Sequence, residues 1–163
     1  MALPLAACGH ATDELAVGKS VRPEGVSAPA QFKLDSLDER EVSTATVAGR
    51  PTVIAFVTTW DLSSQAQIDY LVPMAKRDGA RVNYVMVALQ ERKERVLVEV
   101  YAHHLGVTFP AAMADEELIA GGGSFGALKA VPTTVILDRA ARMVWRHVGI
   151  ARPEEIREGL NGL

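Results

Sequence analysis

Pro51-Thr52-Val53-Ile54-Ala55-Phe56-Val57-Thr58-Thr59-Trp60-Asp61-Leu62-Ser63-Ser64 is the stretch from which the fold is read. Residues 52–58 form a continuous apolar run rich in β-branched side chains, the composition of a strand buried on both faces. From Ser63 the period changes, and Ile68, Leu71, Val72 and Ala75 fall on one side of a helix running to Arg77. Pro73 lies inside that pattern and is expected to kink the helix. A buried strand therefore enters a helix through one aromatic residue and a short polar turn.

The rest of the chain extends this alternation. Residues 31–34 and 41–44 alternate on either side of a polar link at 35–40 and predict a short hairpin. Residues 81–89 read as a second central strand. Residues 91–105 read as a helix with Val96, Val100 and Leu105 inward and Gly106 as its stop. A short acidic helix at 115–119 and a flexible Gly121-Gly122-Gly123 follow. Residues 131–138 and 143–148 form a strand pair, and a last helix opens at Pro153 with Glu154 and Glu155 beside its positive end. This order gives an α/β domain over residues 29–163, with a mixed sheet and helices on both faces.

With 163 residues, 48% hydrophobic and 23% charged, the chain fits one globular domain with a full core. Its 17 basic and 20 acidic residues are interspersed, without the basic stripe of a nucleic-acid partner, so none is expected. Cys8 is the one cysteine, which excludes an intramolecular disulfide and a thiolate-built metal site. Of the histidines (His10, His103, His104 and His147), the adjacent pair points to different helix faces and makes a poor chelate; no metal is expected.

No stretch approaches the roughly 20 apolar residues of a membrane span. Leu5-Ala6-Ala7-Cys8, however, resembles a bacterial lipobox, in which small residues admit the signal peptidase and the cysteine thiol is then lipidated. Residues 1–8 thus read as the remnant of a lipoprotein signal. No Lys or Arg precedes Lys19, so either the sequence begins late or the match is chance. Residues 9–28 mix Gly, Pro, Ser and charge, the composition of a flexible tether. The expected location is the periplasmic side of a bacterial envelope, lipid-anchored through Cys8, or the cytoplasm if Met1 is the true start.

Four segments carry a family resemblance: Ala48-Gly49-Arg50-Pro51-Thr52-Val53, Thr58-Thr59-Trp60, Leu105-Gly106-Val107-Thr108-Phe109-Pro110 and Ala130-Val131-Pro132-Thr133-Thr134-Val135-Ile136-Leu137-Asp138. Together with the element order, they resemble the thioredoxin-like fold and, within it, the TlpA/ResA-type (redoxin) branch of membrane-tethered thiol-disulfide oxidoreductases. The resemblance covers about residues 29–163. It implies a three-layer α/β/α domain with a mixed central sheet and an N-terminal β-hairpin extension. It also implies a cis bond at Val131-Pro132, facing the helix that follows Trp60, with the backbone of Val131 free to pair with an extended substrate. That family carries Trp-Cys-x-x-Cys at the turn; here the cysteine positions hold Asp61 and Ser64.

Thiol-disulfide exchange needs an attacking thiolate and a second thiol that resolves the mixed disulfide. The fold favours the thiolate by placing it at a helix N-terminus. Asp61 at that place keeps the charge and is a strong N-cap, but it is no nucleophile toward sulfur. Ser64 has no evident base, since neither His103 nor His147 is brought near it by the resemblance, and a peroxidase would also need cysteine here. No catalytic residue and no cofactor are expected. Two roles stay open: a structural cap with an inert Ser64, or a recognition groove of Trp60, Asp61, Leu62, Ser63, Ser64, Val131, Pro132 and Thr133. The expected function is a redox-inactive envelope protein that binds a protein or peptide partner in that groove. The alternatives are an oxidoreductase working through Cys8 or a partner's thiols, although Cys8 lacks a helix terminus to activate it, and a structural subunit of an envelope complex.

Overall fold

Strand β4 (Thr52–Val57) is buried at every position in the computed structural model, which describes residues 17–25 and 27–163. Around it the chain runs β1 (Ser20–Val21), β2 (Lys33–Ser36), β3 (Val42–Ser43), α1 (Thr44–Val47), β4, α2 (Leu62–Asp78), β5 (Asn83–Ala88) and α3 (Arg95–His104). It continues through β6 (Ala111–Met113), α4 (Glu116–Ile119), β7 (Thr133–Leu137), β8 (Met143–Val148) and α5 (Pro153–Leu160). The strands form one sheet in the order β1-β8-β7-β4-β5-β6-β2-β3. β4, β5 and β6 are parallel, and every other neighbouring pair is antiparallel. The fold is the expected three-layer, thioredoxin-like α/β/α arrangement with an N-terminal hairpin.

Two crossovers, β4-α2-β5 and β5-α3-β6, step the same way along the sheet. Right-handed connections then put α2 and α3 on one face. Ile68, Leu71 and Met74 of α2, Val98 and Ala102 of α3 and Ile156 of α5 pack there against Val53, Ala55 and Val57. The alternate β4 side chains, Ile54 and Phe56, meet Val47, Leu118 and Phe125 on the other face. This two-residue alternation turns a continuous apolar run into two cores.

Four details differ from the sequence reading. The inward stripe of α3 is Val98 and Ala102; Val96 and Val100, expected inside, are 69% and 61% exposed. In this rotation Arg95 reaches the Ser36 carbonyl at 2.7 Å and Asp35 at 3.2 Å on β2, while Val98 and Ala102 pack into the core. β6 was not anticipated, because Ala111-Ala112-Met113 has no β-branched residue; its pairing with β5 makes it a strand. The hairpin's second strand is only Val42–Ser43, since Ser43 already serves as the N-cap of α1. Ser20–Val21, inside the stretch whose composition reads as a tether, pairs with His147 and Arg146 at the sheet edge. The lipobox and Cys8 lie outside the described residues.

At the far end of α2, Asp78 is 5% exposed. Arg157 Nη1 donates to both of its oxygens at 2.8 Å, and the Tyr84 hydroxyl donates at 2.5 Å. Burial, then the hydrogen bond and charge of Asp78, push the Tyr84 phenol well above its usual range. One carboxylate thereby joins α2, β5 and α5. Asp78→Ala strands the Tyr84 hydroxyl and unpairs Arg157; with Arg157 partly solvated, the expected loss is about 3 kcal/mol, at the low end for a broken buried pair. A lowered midpoint in urea unfolding checks this.

Candidate functional site

The strand-to-helix turn closes on itself. The Ser64 N–H donates to Asp61 Oδ2 at 2.6 Å, so Asp61 is the N-cap of α2 in extended backbone conformation. Ser64 Oγ in turn accepts the Thr58 N–H at 3.3 Å. Gln90, at the end of β5, accepts the Thr59 N–H on Oε1 at 2.7 Å. The backbone donors of the turn are thus held by side chains at Asp61, Ser64 and Gln90.

The register of β4 and β7 brings the second half of the site to this end of the sheet. Phe56 pairs with Thr133, so the segment before Thr133 lies beside the residues after Val57. The Val131-Pro132 bond is cis. The Pro132 carbonyl accepts the Gly149 N–H at 2.8 Å, and the Thr133 hydroxyl donates to the Ala130 carbonyl at 2.7 Å. Gln67 of α2 binds both sides of the Ala151 backbone, donating at 3.2 Å and accepting at 2.7 Å. That buried amide fixes α2 to the segment that follows β8.

The eight residues expected to line a groove divide into two sets. Trp60 and Leu62 are 64% and 82% exposed. Asp61, Ser63 and Val131 are half-buried beside them. Ser64, Pro132 and Thr133 are buried. Ser64 and Thr133 therefore do not face a partner; their hydroxyls are turned to backbone groups within the fold. This also removes Ser64 as a nucleophile. His103 and His104 are exposed at the end of α3, while His147 is buried with Nδ1 2.9 Å from Ser20 Oγ. No group of three His, Cys, Asp or Glu among the described residues could hold a metal ion. No described helix is long and apolar enough to cross a membrane.

Sequence reasoning missed the polar groups behind the turn. Gln67 and Gln90 are 0% and 2% exposed, and the only signal for Gln67 was a polar residue on the inward side of an apolar helical stripe. Tyr101 of α3 carries a buried hydroxyl without a hydrogen-bond partner among the described residues. Its pKa is pushed up to about 12, first by burial and then by the negative charges of Asp69 and Asp61.

No protein-family model and no curated protein matches this chain. Solved structures do. A DsbF homologue from Corynebacterium diphtheriae superposes with a TM-score of 0.76 at 18% identity, over 90% of this chain and 94% of that one. A thiol:disulfide interchange protein of the thioredoxin family from Chlorobium tepidum gives 0.71 at 21% identity, over 85% and 96%. A secreted thiol-disulfide isomerase from Corynebacterium glutamicum gives 0.75 at 15% identity, over 93% of each. The chain has the thioredoxin-like fold that these proteins share, with Asp61 and Ser64 where the resemblance expects the cysteine pair.

Two measurements follow from this geometry. Asp61→Ala should cost about 1 kcal/mol of stability through loss of the cap, whereas Asp61→Asn keeps an acceptor and should cost little; chemical unfolding of the two variants separates them. The fold favours the neutral Tyr101 phenol, so this stabilisation is complete below the unfolded value near 10 and is lost as pH rises through about 12. Tyr84 acts in the same direction. Unfolding measured at increasing alkaline pH should show the loss, and Tyr101→Phe should reduce it.

Proposed function

We propose that this protein binds an extended polypeptide across the turn at Trp60–Ser63 and the backbone of Val131, without exchanging disulfides at the turn. The observation that carries the reading is the division of the site: Asp61 and Ser64 are tied into the fold's own hydrogen bonds, while Trp60 and Leu62 stand out from it. A large exposed aromatic side chain such as Trp60 is an anchor of the kind that dominates peptide interfaces, and the resemblance implies a backbone at Val131 able to pair with an extended chain. The structures of similar fold carry names of proteins that act on thiols and disulfides, which supports cysteine-bearing polypeptides as the partner class.

Those names favour a second reading, an oxidoreductase that uses Cys8 or a partner's thiols. The two readings differ in what Cys8 does. We also infer a location on the periplasmic side of the bacterial cell envelope, with Cys8 as the lipid anchor. Leu5-Ala6-Ala7-Cys8 supports this, as does the likeness in fold to the secreted thiol-disulfide isomerase of Corynebacterium glutamicum.

One set of assays tests these readings. The full chain should leave the reduction of a disulfide substrate by dithiothreitol at its background rate, while binding a reduced, unfolded polypeptide. Trp60→Ala should weaken that binding by about 2 kcal/mol, roughly thirtyfold. Acceleration of the reduction that disappears with Cys8→Ser would replace the binding reading with the second one. The same Cys8→Ser variant, expressed in a bacterium, should leave the membrane fraction.

A further inference from the structure

The end of the sheet opposite the turn holds a cavity of about 700 Å³. It opens where β4 and β5 begin and α2 ends, and its walls include Val47, Val82, Val85 and Phe109. That volume lies within the range of about 300–1,000 Å³ usual for small-molecule pockets. The cavity exists because the sheet is incomplete there. β5 pairs with β4 from Asn83 to Ala88, but β6 covers only Met86–Ala88. Pro110 sits where the ladder would continue; its carbonyl accepts the Met86 N–H, but it has no N–H of its own to offer. The edge of β5 at Tyr84 is therefore left open to the cavity.

The described lining of this cavity holds two cations against one carboxylate, and the adjoining cavity at Arg81, Arg139 and Arg157 shares Arg50 with it. Arg50 and Lys76 line it and are both exposed; Arg50 Nη1 donates to the Ala80 carbonyl at 3.1 Å, and neither residue forms an ion pair among the described residues. Glu41, the one acidic lining residue among those described, is already held by Lys33 at 3.1 Å and by the Ser43 hydroxyl at 2.7 Å. The end of α2 carries a partial negative charge of about half a unit, which two cations exceed. A second cavity of about 710 Å³ near β2 is different: its described lining holds four acidic residues against three basic ones, with Arg92 paired to Asp35 and Lys93 to Glu91.

We propose that the cavity at the start of β5 binds a small organic anion with an apolar or aromatic body. The body occupies the space between Val47, Val82 and Phe109, and the anionic group meets Arg50 and Lys76. This site is separate from the turn at Asp61, and it stands or falls independently of the polypeptide-binding reading.

Two fluorescent probes with the same aromatic framework test it: anilinonaphthalene sulfonate, an anion, and phenyl-naphthylamine, which is neutral. The full chain should bind the anion at least about tenfold more tightly than the neutral probe. Amide shifts in nitrogen-15 NMR spectra should centre on Val47, Val82 and Phe109. The double variant Arg50→Gln/Lys76→Gln, which alters only exposed side chains, should bring the two probes to equal affinity. Equal binding of both probes by the unaltered chain, an unchanged preference in the double variant, or shifts centred on Trp60 would each overturn the proposal.

Discussion

The carboxylate of Asp61 and the hydroxyl of Ser64 hold the turn on which the rest of the site is built. A helix start leaves backbone donors without intrahelical partners, and a buried strand end adds more. Asp61 takes the Ser64 N–H, and Ser64 takes the Thr58 N–H, so the strand and the helix are joined by two residues three positions apart. In a disulfide-exchanging protein of this fold, the same helix pole favours a reactive thiolate. Here it is occupied by a group that cannot attack sulfur. The positive end of α2 is therefore used for structure, and Trp60 and Leu62 remain the accessible part of the turn.

Two long-range ties keep α2 in place relative to the C-terminal part of the chain. Near its start, Gln67 holds the backbone of Ala151; at its end, Asp78 holds Arg157 and Tyr84. Both ties are largely buried, where an unmatched polar group is costly, so the orientation of α2 is strongly determined. Because Ala151 follows closely on Gly149, which is bonded to Pro132, the turn and the Val131-Pro132 loop share one support. Their relative position is a property of the helix and the sheet together.

The strands β4, β5 and β7 were legible because their apolar runs are long enough to be distinctive, α2 because its cap and helical period agree, and α5 because Pro153 and two acids mark its first turn. The Asp61 cap was legible as well, since its physics is local. What could not be read depends on residues distant in sequence. The rotation of α3 brings Arg95 to β2, some 60 residues earlier, and buries Val98 and Ala102 where the apolar pattern points Val96 and Val100 inward. Gln67 and Gln90 gave no sign that their amides would serve backbone groups of other elements. The burial of Ser64 and Thr133 likewise depends on packing that a linear motif does not contain.

Both margins of the eight-stranded sheet end in strands of two residues, Ser20–Val21 on one side and Val42–Ser43 on the other. Such short margins offer another chain few free main-chain groups, a common protection against sheet-to-sheet self-assembly. The fold thus discourages indiscriminate strand addition at its outer rims.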